Sequence, residues 1–139
     1  MKIDLRCRIR HDGIHVNTKS TAIVSGNVIQ PRLTEDINQG VGIRVSGDPL
    51  YVSIRENRLD HLGNTAIGIQ GDASATITHN HFDGYLYYAI NNESGEQIDA
   101  RGNWWGSGQA HADLQNADHP ANLSMIYDTY DIAQAGLVN

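Results

Sequence analysis

The chain has 139 residues, the size of one domain, and combines 14 glycines with 6% aromatic residues, a mixture that favours many short strands and turns over a helical bundle. Its formal net charge of -6 disfavours nucleic acid as a partner, because general nucleic-acid binders carry basic patches. The single cysteine excludes an internal disulfide, and the chain has neither an apolar run of about 18 residues nor a signal-peptide-like start, so we expect no membrane span and no secretory leader.

The first predicted element is a half-buried strand at the N-terminus. Ile3, Leu5, Cys7 and Ile9 alternate with charged residues, so one face of the strand is apolar and the other is charged. No amphipathic capping helix is recognisable beside it. Further rungs of a longer parent, or a second copy of the chain, would cover its open edge. Homo-oligomerisation through this N-terminal edge is therefore one expectation.

A repeat with an Asn marker organises the residues that follow. Each copy has an Asn and, two positions later, a bulky apolar residue. The pairs are Asn27/Ile29, Asn57/Leu59, Asn80/Phe82 and Asn103/Trp105. The last two intervals between Asn residues are both 23 residues, whereas the first is 30. Because Asn favours bends and stacked Asn side chains can hydrogen-bond to each other, the series predicts a column of Asn residues at one corner of a coil.

A second series of isoleucines alternates with the first. Its members are Ile14, Ile43, Ile67 and Ile90, and the last two are again 23 residues apart. The interval from Ile43 to Ile67 is 24, so the extra residues of the first repeat fall in the segment 30–39. The apolar runs are three to five residues long, recur about every ten residues and number two per repeat.

The last predicted element follows the end of the repeat at Gly106. The segment 107–120 is polar and is predicted to be a loop. Leu123, Ile126, Tyr127 and Tyr130 then lie at helical spacing, which predicts a short helix over 122–130. We expect this helix to cover the last rung.

These elements predict an all-β fold, a right-handed parallel β-helix of four to five rungs. Connections this short cannot contain a crossover helix, whereas stacking each repeat on the next pairs all the strands in parallel. We predict one domain over 1–139, with the repeats at about 1–106 and a C-terminal loop and cap at 107–139.

The sequence resembles the pectate-lyase-like right-handed β-helix superfamily. The motif Asn103-Trp104-Trp105-Gly106 is similar to an element that often closes such helices, and the residues from Ile126 to Val138 are similar to the segment that follows it. The resemblance implies an extracellular or periplasmic location and a carbohydrate context, although the superfamily includes lyases, hydrolases, epimerases, tailspikes and adhesins. The arginine-proline, Asp-Pro-His-Asp and Asp-Asp motifs of its best-known enzymes do not occur in this chain.

The repeat register predicts two outward columns that could carry chemistry. Arg58, His81 and Trp104 each follow a marker Asn, and Asp60 and Asp83 lie two positions beyond Arg58 and His81. The two carboxylates should lie on neighbouring rungs, about 5 Å apart. That separation suits a retaining glycosidase, so the candidate catalytic residues are Asp60, Asp83 and His81. The two aspartates also suit Ca²⁺, but no cofactor is expected and no metal ligands are assigned.

Saccharide binding is the alternative role for the same surface. The candidate binding residues are Arg58, His61, Trp104, Tyr85 and Tyr87, because aromatic rings stack on sugars and arginine pairs with uronate carboxylates. A plainly structural role is the strong alternative for these residues, since the Asp residues occupy turn positions and Asp83-Gly84 is a common turn dipeptide.

Three functions remain open at this point. The leading one is a noncatalytic module that binds polysaccharide or has a structural role at a surface. The alternatives are a polysaccharide lyase or glycoside hydrolase and a self-assembling structural module.

Overall fold

The computed structural model describes residues 4–5, 13–17, 19, 21–30, 40–48, 51–62, 64–84, 87–106, 126–128, 134–136 and 138. The strands within this part of the chain are β1 (Asp4–Leu5), β2 (Ile14–Asn17), β3 (Thr21–Ser25), β4 (Val28–Ile29), β5 (Val41–Ser46), β6 (Tyr51–Arg55), β7 (Arg58–Asp60), β8 (Thr65–Ile69), β9 (Ala75–Thr78), β10 (His81–Asp83), β11 (Tyr88–Asn92) and β12 (Ile126–Tyr127). None of the described residues forms a helix long and apolar enough to cross a membrane.

Each turn of the coil visits three parallel sheets in a fixed order. The first sheet contains β1, β4, β7 and β10, the second contains β2, β5, β8, β11 and β12, and the third contains β3, β6 and β9. The parallel β-helix of four to five rungs is therefore confirmed. The sequence predicted two strands per repeat, whereas the structure has three, because a bend at each marker Asn divides the first apolar run between two sheets.

The core is a set of aliphatic columns inside the coil. Ile14, Ile43, Ile67, Ile90 and Ile126 are register partners on five successive strands of the second sheet. All five side chains are buried. Burial of one such side chain contributes about 1.5–3 kcal/mol, so this column is a main source of stability. The register of the isoleucine series agrees with its spacing in the sequence.

The marker Asn residues form the predicted column at the corner between the third and first sheets. The Asn27 amide donates to Oδ1 of Asn57 at 2.8 Å, and the Asn57 amide donates to Oδ1 of Asn80 at 3.0 Å. The Asn80 amide continues the series to Oδ1 of Asn103 at 3.0 Å. Asn27, Asn57 and Asn80 are each 1–2% exposed, so these side chains satisfy one another inside the protein.

The left-handed residue of each bend precedes the Asn. Gly26, Glu56, His79 and Gly102 have φ of 67°, 57°, 56° and 73°. The marker Asn residues were predicted to suit a bend because Asn tolerates this region, but it is the preceding residue that adopts it. The Asn side chain instead provides hydrogen bonds to backbone and to the neighbouring rungs.

The C-terminal segment extends the second sheet. β12 pairs in parallel with β11, so the predicted helix over 122–130 is wrong at Ile126 and Tyr127. The free edge of β11 offers unpaired backbone groups, and Ile126 lengthens the isoleucine column, which together favour a strand. The other residues of that predicted helix, and the predicted loop at 107–120, lie outside the described part of the chain.

Buried hydrogen bonds attach the end of the chain to the last rung. The amide of Asn92 donates to the carbonyl oxygens of Gly136 at 2.8 Å and of Glu96 at 3.0 Å. Oδ2 of Asp128 accepts from the backbone N–H of Val138 at 3.1 Å. Asn92 and Asp128 are buried, so these bonds support the predicted role of this segment as a cap.

At the other end, β1 begins the first sheet. Asp4 and Leu5 pair with Val28 and Ile29 of β4. This pairing agrees with an N-terminal strand as the first rung. The remainder of the predicted strand over 3–9 lies outside the described residues, and so does the edge proposed for oligomerisation.

Candidate functional site

An outward column on the first sheet contains two of the five candidate binding residues, Arg58 and Trp104. We call Val28, Arg58, His81 and Trp104 the outer column. They are register partners on consecutive rungs, through β4, β7 and β10 to an isolated bridge at Trp104. Val28 is 38% exposed, Trp104 is 37% exposed and the Arg58 side chain is 55% exposed. The predicted outward direction of this column is therefore confirmed.

Two aromatic stacks fix the tryptophans at the end of this sheet. On the outside, the rings of His81 and Trp104 are stacked, with centroids 3.9 Å apart and an interplanar angle of 27°. On the inside, Phe82 and Trp105 are 4.9 Å apart and nearly parallel, at 8°. Alternation along one short strand therefore places one indole against the core and the other at the surface.

Asp60 is the main correction to the predicted site. It was expected to point outward into solvent, but its side chain is only 3% exposed. Oδ2 accepts hydrogen bonds from Nε of Arg58 and from Nε2 of Gln30, the latter at 2.9 Å. The carboxylate points outward from the strand, but it is buried because Arg58 and Gln30 cover it.

One oxygen of this buried carboxylate has no hydrogen-bond partner among the described residues. Oδ1 of Asp60 is inaccessible to solvent and accepts no hydrogen bond from any described residue. An unsatisfied buried carboxylate oxygen is costly, and native proteins rarely tolerate it without an ion or a water molecule. This oxygen is therefore the most unusual polar atom of the site.

The two aspartates and the histidine converge as the register predicted. Asp83 is the partner of Asp60, and His81 is the partner of Arg58. One donor atom each from Asp60, His81 and Asp83 lies within 4.8 Å of the other two. A catalytic role for these three residues stays a prediction.

The remaining candidate residues lie at the bend that follows β7 and β10. His61 is exposed, has φ of 52° and donates its backbone N–H to the carbonyl of Asp83 at 2.6 Å. Tyr87 is 58% exposed, and its backbone N–H donates to the carbonyl of Asn64 at 3.1 Å. No contact between described residues joins the Tyr87 ring to the outer column. Tyr85 lies outside the described residues.

Gln30 is a residue of the site that was not among the candidates. It lies three positions after Asn27, as Asp60 lies three positions after Asn57. The alignment of the repeats was thus sufficient to bring it beside Asp60, but it could not show that the amide would bond to the carboxylate. Gln30 and Arg58 both donate a hydrogen bond to Oδ2 of Asp60.

A second charged pair is formed by Asp99 and Arg101. Asp99 pairs in parallel with Thr76 of β9, so it extends the third sheet by one rung. Nε and Nη2 of Arg101 each donate to a different oxygen of Asp99 at 2.8 Å. The side-chain hydrogen bonds from Arg101 hold the pKa of Asp99 below its ordinary value. Both side chains are well exposed, so the pair contributes little to stability.

The three-sheet parallel coil defines the chain as a parallel β-helix protein. A family model described as a right-handed β-helix region matches residues 5–129, which is most of the 139 residues. The chain therefore belongs to the right-handed β-helix family, and the predicted handedness is confirmed. No curated protein and no solved structure resembles it at a significant level.

Proposed function

We propose that this chain is a noncatalytic saccharide-binding module and that the outer column is its binding surface. The observation that carries the proposal is the exposed, oriented indole of Trp104 at the end of a column that also contains Arg58. We also propose the narrower relationship to pectate-lyase-like proteins, which the motif Asn103-Trp104-Trp105-Gly106 supports.

The aromatic end of the column suits the apolar face of a sugar ring. Trp104 offers a flat surface, and its stack with His81 restricts the indole before any ligand arrives. Restriction of this kind lowers the entropy lost on binding. Indole rings also combine a large apolar area with a polar N–H, which suits a ligand that has both apolar faces and hydroxyl groups.

The cationic part of the column favours an acidic saccharide. Arg58 uses Nε for Asp60, and its side chain remains 55% exposed, so the two terminal amino groups are available to a ligand. A guanidinium held in this way can grip a carboxylate with two parallel hydrogen bonds. A polyuronate is therefore preferred over a neutral polymer, even though the net charge of the chain is -6.

Burial of Asp60 favours binding over hydrolysis. A retaining glycosidase needs one carboxylate to attack the sugar and a second one about 5–5.5 Å away to transfer protons. The Asp60 side chain is 3% exposed and is already paired with Arg58 and Gln30. A substrate could reach it only after these two side chains move, so Asp60 is a poor nucleophile.

Binding to a panel of polymers tests the proposal. Isothermal titration calorimetry should show saturable binding of polygalacturonate or alginate and weaker binding of dextran. Trp104→Ala should weaken polyuronate binding roughly tenfold, as expected for a central aromatic contact. Arg58→Gln should remove the preference for the acidic polymers, because it removes the fork that would hold a uronate carboxylate.

Tyr51→Ala is the matched control. Tyr51 is 42% exposed and lies on the third sheet, away from the outer column, so its loss should leave binding unchanged. Equal effects of Tyr51→Ala and Trp104→Ala would contradict the assignment of the surface. Release of reducing ends or unsaturated products from any bound polymer would contradict the noncatalytic role.

A further inference from the structure

We propose that Asp60, His81 and Asp83 form a binding site for a divalent transition metal such as Zn²⁺, which we call the DHD site. Their donor atoms lie within 4.8 Å of one another, on two neighbouring rungs of the first sheet. Imidazole nitrogen and carboxylate oxygen are both common zinc ligands. The site does not depend on the proposed saccharide binding.

The unpartnered oxygen of Asp60 is the independent observation that points to a ligand. Arg58 and Gln30 both donate to Oδ2, which leaves Oδ1 inaccessible to solvent and without a hydrogen bond from the described residues. Burial of a carboxylate oxygen without a hydrogen bond is unfavourable, because the desolvation of the charge is not compensated. Coordination of a cation by Oδ1 would remove that cost, whereas a surface cluster of acids has no such need.

Contacts that hold two of the three ligands are already formed. Metal-ligating carboxylates are usually held in turn by hydrogen bonds, which orient them and strengthen binding. Asp60 is held at Oδ2 by Arg58 and Gln30, and the ring of His81 is held by its stack with Trp104. Two ligands are therefore fixed before the metal binds, and Asp83, which is half-buried, is the one with room to adjust.

The ligand set selects the class of metal. Ca²⁺ and Mg²⁺ prefer oxygen ligands throughout, and Ca²⁺ takes six to eight of them, so a site with an imidazole and only two carboxylates suits neither well. Imidazole suits zinc, copper, nickel and iron. The positive charge of Arg58 beside Asp60 further weakens the attraction for a cation that relies on charge alone.

The separation of the donors predicts a small closure on binding. Two ligands at about 2.1 Å from one zinc ion are at most about 4.2 Å apart. The upper separation in the DHD site is 4.8 Å, so the metal should draw the ligands inward. Movement of Asp83, the half-buried ligand, toward Asp60 and His81 is sufficient.

Calorimetric titration of the tag-free, metal-stripped protein with ZnCl₂ and with CaCl₂ tests the proposal. We expect one Zn²⁺ per chain and weaker binding of Ca²⁺. The melting temperature should rise by roughly 5–10 °C at a free Zn²⁺ concentration 100 times the Kd. Co²⁺ should give a visible absorption band, and Zn²⁺ should change the tryptophan fluorescence through the stack of His81 with Trp104.

Three variants separate this site from adventitious binding. Asp83→Asn and His81→Gln should each weaken Zn²⁺ binding by roughly tenfold or more, as loss of a ligand requires. His15→Gln is the control, because His15 lies on the second sheet with its ring nitrogen bonded to Ser46. Asp83→Asn preserves size and shape, and coincident urea transitions of this variant and the parent would show that the fold is retained.

The outcomes are separable from those of the saccharide experiment. Asp83→Asn should lose Zn²⁺ binding and keep polymer binding. Trp104→Ala should weaken polymer binding roughly tenfold and, because Trp104 supports the His81 ring, should weaken Zn²⁺ binding less than His81→Gln does. Absence of Zn²⁺ binding at millimolar concentration, unchanged affinity in both site variants, or tighter binding of Ca²⁺ than of Zn²⁺ would overturn the DHD site.

Discussion

At the scale of single residues, each bend between the third and first sheets depends on one left-handed backbone conformation. Two of the four positions are glycines, Gly26 and Gly102, and two are Glu56 and His79. A residue with a Cβ in this conformation costs about 1–2 kcal/mol, and a glycine avoids that cost. The bends that contain Glu56 and His79 therefore carry strain that the Asn column and the paired strands offset.

A substitution at Gly26 measures this cost. Gly26→Ala introduces a Cβ that meets no atom within 4 Å, so its effect comes from φ alone, and we expect about 1 kcal/mol of lost stability. Urea unfolding gives the difference. Gly95→Ala is the control, since that Cβ also meets nothing within 4 Å and the residue is not left-handed. Equal costs at both positions would refute the role of the backbone conformation.

At the scale of elements, the Asn column connects consecutive rungs at a corner where the strands end. Asn80 donates to the carbonyls of Ile54 and Thr78 at 2.9 Å and 3.1 Å, and its Oδ1 accepts from both the backbone and the side chain of Asn57 at 3.0 Å. One amide therefore satisfies groups of two neighbouring rungs, and its donation to Oδ1 of Asn103 at 3.0 Å reaches a third. Loss of it would leave several donors and acceptors unpaired in a place that water does not reach.

Truncation of Asn80 should therefore be among the most damaging single changes on this corner. Asn80→Ala should lower the free energy of unfolding by about 3 kcal/mol, since it leaves the buried N–H of Asn57 unpaired and removes several hydrogen bonds. Asn17→Ala is the control. Asn17 is exposed at the end of β2 and lies outside the column, so we expect a change within about 0.5 kcal/mol. A small effect at Asn80 would show that the column follows from the fold without stabilising it.

At the scale of the whole molecule, two equal intervals of 23 residues were enough to predict which residues are neighbours. Parallel stacking converts equal spacing in the sequence into contact in space, so the register of Arg58 with His81 and of Asp60 with Asp83 follows directly. The same reasoning predicted the Asn column, the buried isoleucines and the outward direction of Trp104. These are properties of a repeat, and a repeat is visible in one sequence.

The features that were not predicted depend on contacts that spacing does not describe. Strand alternation gives the side of a strand on which Asp60 lies, but its burial depends on how Arg58 and Gln30 fold over it. The helical spacing of the apolar residues around Ile126 was misleading. Ile126 and Tyr127 pair with the free edge of β11, and a pairing of two residues does not require an alternating sequence pattern. The spacing of the repeats does not predict the function either, because a fold of this kind supports many chemistries.

From β5 onward, residues 23 or 24 apart in the sequence lie directly over one another in a parallel coil. Solution NMR of isotopically labelled protein tests it most directly. We expect nuclear Overhauser effects between the side chains of Ile43, Ile67 and Ile90, and between the rings of His81 and Trp104 at a centroid distance near 3.9 Å. Absence of these effects, or strong effects between the α-protons of facing residues as antiparallel hairpins give, would contradict the fold and with it both proposed sites.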